Sequence, residues 1–128
     1  MNENVQIYLN KADECLADAK ALIEKDRFTA SVSRRYYAMF HAAQAVLLSE
    51  NIEVFTHTGV NVQFQKTFIK TGIFPILVGK TFSKILDQRL KSDYEIGFKA
   101  SQEDAKHTFN ESLDFVTIIR KFLAGISK

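Results

Sequence analysis

The sequence predicts an all-α domain, an up-and-down antiparallel bundle of four to five helices. Three observations predict it. Apolar residues recur at alternating three- and four-residue spacings in long stretches near both ends of the chain. The single proline, Pro75, divides the chain into two helical halves. No segment alternates convincingly with period two. Val60-Asn61-Val62-Gln63-Phe64 does alternate, but it reads more economically as the opening turns of a helix.

In the first stretch, Val5, Tyr8, Leu9, Ala12, Cys15, Leu16, Ala19, Leu22 and Ile23 make one apolar face of an amphipathic helix. Asp26-Arg27 is a short connection, and a second helix is expected from Phe28 to Leu48. Its apolar residues cover most of the circumference, so it should be central and largely buried. Asn51 to Gly59 reads as a loop, with Thr58 as a helix cap and His57 exposed. A shorter helix follows from Val60 to Lys70, closed by Gly72. The next helix follows Pro75 and runs through Val78, Phe82, Ile85, Leu86, Arg89 and Leu90. Gly97 marks a break, and Ser101 with Asp104 has the spacing of a capping box. A sustained apolar repeat from Ala105 to Ile126 makes the last helix. Short connections between long amphipathic helices favour antiparallel neighbours.

At 128 residues the chain fits one domain, spanning 1–128. With 46% hydrophobic and 25% charged residues it is composed to fold around a core. A lone cysteine, Cys15, allows no intrachain disulfide, which points to a reducing compartment and a soluble, cytoplasmic protein. No signal-peptide pattern opens the chain, and no apolar run is long enough for a membrane span. A net charge of +2 argues weakly against a duplex-DNA scaffold, while leaving RNA open. The three histidines and Cys15 show no metal-ligand spacing, and no cofactor is expected. Gly79-Lys80-Thr81 mimics the end of a phosphate loop, but Phe74 stands where that loop needs its first glycine.

The second helix carries the chemistry. At about 100° per residue, Arg34 and His41 lie within about 20° of each other around the axis. Tyr37 falls between them and Gln44 one turn beyond, so an otherwise apolar helix bears a polar stripe with Ser33 at its start. Arg35 points to a different face. Polar groups on a buried helix cost stability unless partnered, so the stripe should meet a cleft, a carboxylate or a second subunit.

The run Ser33-Arg34-Arg35-Tyr36-Tyr37-Ala38-Met39-Phe40-His41-Ala42-Ala43-Gln44-Ala45, then His57-Thr58-Gly59-Val60 and Arg89-Leu90-Lys91-Ser92-Asp93-Tyr94, resembles the small stand-alone prokaryotic HEPN-domain proteins. The resemblance covers nearly the whole chain in order. It implies a helical bundle that forms a homodimer and acts with a minimal nucleotidyltransferase, in some pairs as toxin and antitoxin. Its ribonuclease branch is metal-independent and carries an arginine, four to six residues, then a histidine. Both Arg34 and Arg35 meet that spacing to His41. The pattern departs in other respects: Tyr36 follows Arg35, Ala43 stands two after His41, and the later helix has Arg89, Asp93 and Tyr94 without a histidine.

Catalysis of RNA cleavage would fall to His41 with Arg34 or Arg35: an imidazole moves protons and a guanidinium neutralises the strained phosphate. Tyr37, Gln44, His57, Arg89, Asp93 and Tyr94 are candidate RNA- or nucleotide-binding residues. Tyr94 is also, by the resemblance, a conceivable target of nucleotidylation. The alternative is a non-catalytic helical dimerisation or interaction module in which the Arg-Tyr-His cluster is structural.

Overall fold

The computed structural model describes residues 2–94 and 97–126, and the side chains of α4 up to Arg89. The helices are α1 (Glu3–Glu24), α2 (Phe28–Leu48), α3 (His57–Phe64), α4 (Ile76–Tyr94) and α5 (Gln102–Ile126). A π-helical turn, Gln65–Ile69, extends α3, and the described residues contain no strand.

The apolar face read in α1 is the face it buries: Val5, Leu9, Ala12, Cys15, Leu16 and Ala19. Asp26 turns the chain at φ 59, a conformation aspartate tolerates better than most residues. α2 is buried on nearly every side and packs against all four other helices. Alanines at 38, 42, 43 and 45 let its neighbours come close. Two buried serines fasten it: Ser31 Oγ donates to the Ala19 carbonyl at 2.8 Å, and Ser112 Oγ donates to the Arg35 carbonyl at 2.9 Å.

The third helix starts earlier than its periodicity predicts. Thr56, not Thr58, is its N-cap, accepting from the Gly59 amide at 3.0 Å, so His57 is the first helical residue. Beyond Phe64 the helix widens into the π turn, from which Gln65 Nε2 donates to the Gly79 carbonyl at 2.9 Å. Gly79 is therefore where α4 approaches this turn, and a Cβ there would crowd Ile69 and Gln65. Gly72, at φ +79, ends the element as expected.

The end of α3, its π turn, α4 and α5 meet around stacked and edge-on phenylalanines: Phe64, Phe68, Phe74, Phe82 and Phe115 are buried, with Phe122 at their edge. The capping box of α5 forms reciprocally: the Asp104 amide donates to Ser101 Oγ at 3.0 Å, and the Ser101 amide to Asp104 Oδ2 at 3.1 Å. No helix of the described residues is long and apolar enough to cross a membrane.

Candidate functional site

Helical geometry puts Arg34, Tyr37, His41 and Gln44 along one side of α2, where α1, α3 and α4 all add side chains. His41 is half-buried. Its Nδ1 lies 2.9 Å from Gln44 Oε1, while Gln44 Nε2 donates to the Val54 carbonyl at 3.0 Å. The second bond orients the first. With its amide nitrogen committed to Val54, Gln44 presents an oxygen to His41, which can only accept. Nδ1 therefore carries the proton and Nε2 keeps its lone pair. Burial, above all, lowers the His41 pKa; Lys11 and Arg34 add to the lowering, and the Gln44 bond partly offsets it. The imidazole is thus neutral at neutral pH, with its basic nitrogen unprotonated.

Tyr37 stands between two guanidinium groups. Arg34 lies 5.5 Å from its ring centroid, and so does Arg89 from α4. Arg89 also donates to the Tyr37 hydroxyl at 2.8 Å. Arg34 donates from Nη2 to Cys15 Sγ at 3.2 Å and sits 3.9 Å from Asp18, both on α1. Burial raises the Cys15 thiol pKa more than Arg34 lowers it, so Cys15 remains a thiol.

His57, expected on a loop, is brought to the same place by the early start of α3. Its Nδ1 is 2.9 Å from the Tyr36 hydroxyl. Its ring packs 4.8 Å from Phe40 and 5.9 Å from Tyr37. His41 approaches the same two rings at 5.6 and 6.4 Å. The buried Tyr36 phenol holds its proton far above the usual range, chiefly through burial, so it stays a neutral hydrogen-bonding group.

Arg35 is the exception among the sequence candidates. It is fully buried and turned away from the stripe, with Nη2 donating to Gln88 Oε1 at 2.6 Å. The seventh-residue spacing from Arg34 to His41 keeps one helix face, and the sixth-residue spacing from Arg35 does not. Asp93 and Tyr94 lie outside the described side chains. Sequence reasoning missed Tyr8, which stacks on His41 at 6.4 Å, and Lys11, whose ammonium lies 5.7 Å from the Tyr8 ring. Tyr8 reads as one more residue of the apolar face and is half-buried against the core, Lys11 is an exposed lysine, and nothing local marks either for the site.

Beside His41 opens a cleft of about 180 Å³, whose wall includes Tyr8, Lys11, Gln44, Val54 and one carboxylate, Glu53. Two imidazoles and two guanidiniums gather around Tyr37, with Lys11 at the adjoining cleft. That donor set can hold an anionic group and move protons beside it. Among the described residues no three His, Cys, Asp or Glu side chains group so as to hold a metal ion.

Comparison with known proteins gives a match to the HEPN domain family model over residues 5–122. A UPF0332 protein of Thermotoga maritima is 30% identical over 131 residues, covering 100% of this chain and 99% of that one. A Methanocaldococcus jannaschii protein provisionally named a toxin is 34% identical over 126 residues, covering 98% and 93%. A UPF0332 protein of Gloeobacter violaceus is 32% identical over 125 residues, covering 97% and 99%.

Proposed function

The chain belongs to the HEPN-domain family, and from that premise we propose that it is a toxin-type endoribonuclease that cuts RNA without a metal. One observation carries the reading: Gln44 fixes His41 in the tautomer whose Nε2 is free to accept a proton. His41 Nε2 takes the proton of a ribose 2′-hydroxyl, whose oxygen attacks the adjacent phosphorus. The bond from phosphorus to the 5′-oxygen breaks, and that oxygen takes its proton from His57 as the general acid. The products are a 2′,3′-cyclic phosphate and a free 5′-hydroxyl. Arg34 and Arg89 neutralise the charge that builds on the phosphoryl oxygens. The provisional toxin name of the archaeal relative agrees with such an activity.

A homodimer and a minimal nucleotidyltransferase partner belong to the same proposal, on the strength of the family resemblance. Sedimentation at tens of micromolar tests the dimer, and co-purification with the product of an adjacent transferase gene tests the partner.

The deciding experiment is RNA cleavage in EDTA by the wild type beside His41→Ala, with thermal unfolding of both. Loss of a general acid or base lowers the rate by about 10²- to 10⁴-fold. Full cleavage by the variant, or cleavage by the wild type that stops in EDTA, rejects the mechanism. A second reading, a non-catalytic interaction module, draws on the same Val54–Gln44–His41 chain, because it ties the segment before α3 to α2. On that reading the wild type cuts no RNA, and His41→Ala costs only stability, about 1–3 kcal/mol.

A further inference from the structure

The cleft beside His41 takes its wall from three elements: α1, the second half of α2 and the segment before α3. Ile7, Leu48 and Ile52 make much of its apolar part. Two of its residues also touch the imidazole. Tyr8 stacks on His41 at 6.4 Å, and Gln44 bonds its Nδ1 at 2.9 Å. The proposed reaction uses His41 and gives the adjoining space no occupant.

Size and charge narrow what can enter. At about 180 Å³ the cleft is smaller than the roughly 300–1,000 Å³ of sites that enclose a whole drug-sized ligand, so it admits one ring system rather than a complete nucleotide. Its wall carries one cation, Lys11, and one carboxylate, Glu53. The two do not pair with each other, and no ion pair among the described residues engages Glu53. A carboxylate repels a phosphate and only accepts hydrogen bonds, whereas an ammonium only donates them. Together they suit an uncharged ring with donors on one edge and acceptors on the next. Among the RNA bases guanine has that form: N1–H and the N2 amino group are adjacent donors, and O6 and N7 are adjacent acceptors. Adenine and cytosine carry a bare ring nitrogen beside the amino group, which a carboxylate repels. Uracil has a single N–H between two carbonyls.

A nucleobase and the 2′-hydroxyl of its own ribose sit on neighbouring carbons, C1′ and C2′. A 2′-hydroxyl held at His41 therefore brings its nucleobase to the adjoining cleft. We propose, resting on the reading of His41 as the group that takes the 2′-hydroxyl proton, that the cleft holds the nucleobase on the 5′ side of the cut and selects guanine. Tyr8 offers a ring for it to stack against, the Glu53 carboxylate accepts from N1–H and N2–H, and Lys11 donates to O6 or N7. The substrate class is single-stranded RNA, because a paired guanine cannot turn its Watson–Crick edge to Glu53. Cleavage then leaves guanosine 2′,3′-cyclic phosphate at the new 3′ end.

The test is calorimetric titration of the wild type and Glu53→Gln with the 3′-monophosphates of guanosine, adenosine, cytidine and uridine. Glu53 is exposed, so its replacement leaves the core untouched, which thermal unfolding verifies. The wild type should bind the guanosine ligand about tenfold or more tightly than the other three, the discrimination expected of one good bidentate pair. Glu53→Gln should lose most of that preference, since an amide offers a single oxygen to two donors. The ratio between ligands is the readout, because removing a negative charge strengthens all four phosphates alike. In RNA cut by the wild type, the new 3′ ends should be guanosine. No binding, equal binding of the four ligands by the wild type, or a preference that Glu53→Gln keeps, overturns the guanine site. Cuts elsewhere despite selective binding overturn its place on the 5′ side. Selective binding by a chain that cuts no RNA supports the guanine site and rejects the reaction; cuts after all four nucleotides without a binding preference reject the site and leave the reaction standing.

Discussion

His41 and Gln44 stand one helical turn apart on α2, joined by a 2.9 Å bond from the ring Nδ1 to the amide oxygen. Because the Val54 carbonyl holds the other end of that amide, a main-chain group in the segment before α3 sets the tautomer of a side chain on α2. Replacing Gln44 by leucine removes this control while keeping the site filled. RNA cleavage should then fall by about tenfold or more, as the base loses its orientation. Gln44→Glu places a carboxylate beside Nδ1, which stabilises the imidazolium, so the His41 pKa should rise. Ring-proton NMR titration of both variants checks this; an unmoved pKa in Gln44→Glu would show that the bond is not made in solution.

Acid should weaken the fold through His41. Its folded-state pKa is lowered below the ordinary 6.5, mainly by burial. Between those two values the unfolded chain binds more protons than the native one, so stability rises with pH across that window. The contribution is complete above the unfolded value and is lost as pH falls from about 6.5 toward the folded value. Unfolding of the wild type and His41→Gln between about pH 8 and pH 5 measures it. The wild type should lose stability more steeply; parallel curves would mean that His41 does not carry the effect.

The start of α3 distinguishes two neighbouring threonines. Thr56 accepts from the Gly59 amide, and Thr58 is exposed. Thr56→Ala should cost about 1 kcal/mol in urea unfolding, the usual value for a lost N-cap. Thr58→Ala should change stability by less than about 0.5 kcal/mol. The first change also loosens His57, the residue that follows the cap, so any RNA cleavage should fall in Thr56→Ala alone. Equal effects of the two substitutions would contradict this assignment of the cap.

Gly79 sets helix propensity against space. Alanine is favoured over glycine within a helix by about 1 kcal/mol. At this position its Cβ would stand 2.9 Å from Ile69 Cγ1, with Gln65 also in the way. Crowding in a packed interior costs about 1–3 kcal/mol, so Gly79→Ala should be net destabilising. A stabilised variant would mean that the π turn yields easily. Gly125→Ala is the control, since a Cβ there meets nothing within 4 Å.

Helix number, the bounds of α2 and the capping box of α5 were legible in the sequence because each rests on local chemistry. Periodicity places apolar faces, and Ser101 with Asp104 needs only three residues of spacing. The separation of Arg34 from Arg35 was legible for the same reason, since residues seven apart share a helix face and residues six apart do not. The early start of α3 was local in origin too, but three threonine and glycine positions competed for the cap, and the pattern of Thr56-His57-Thr58-Gly59 does not choose between them. What only the tertiary structure decided is which groups meet. Tyr8 and Lys11 reach His41 because α1 lies along α2, Arg89 reaches Tyr37 from α4, and the Val54 carbonyl fixes Gln44 from a loop. The burial of Arg35 and its bond to Gln88 likewise exist only once α4 and α5 close over it. Spacing along one helix is set by its pitch, whereas a hydrogen-bond partner depends on how separate helices pack.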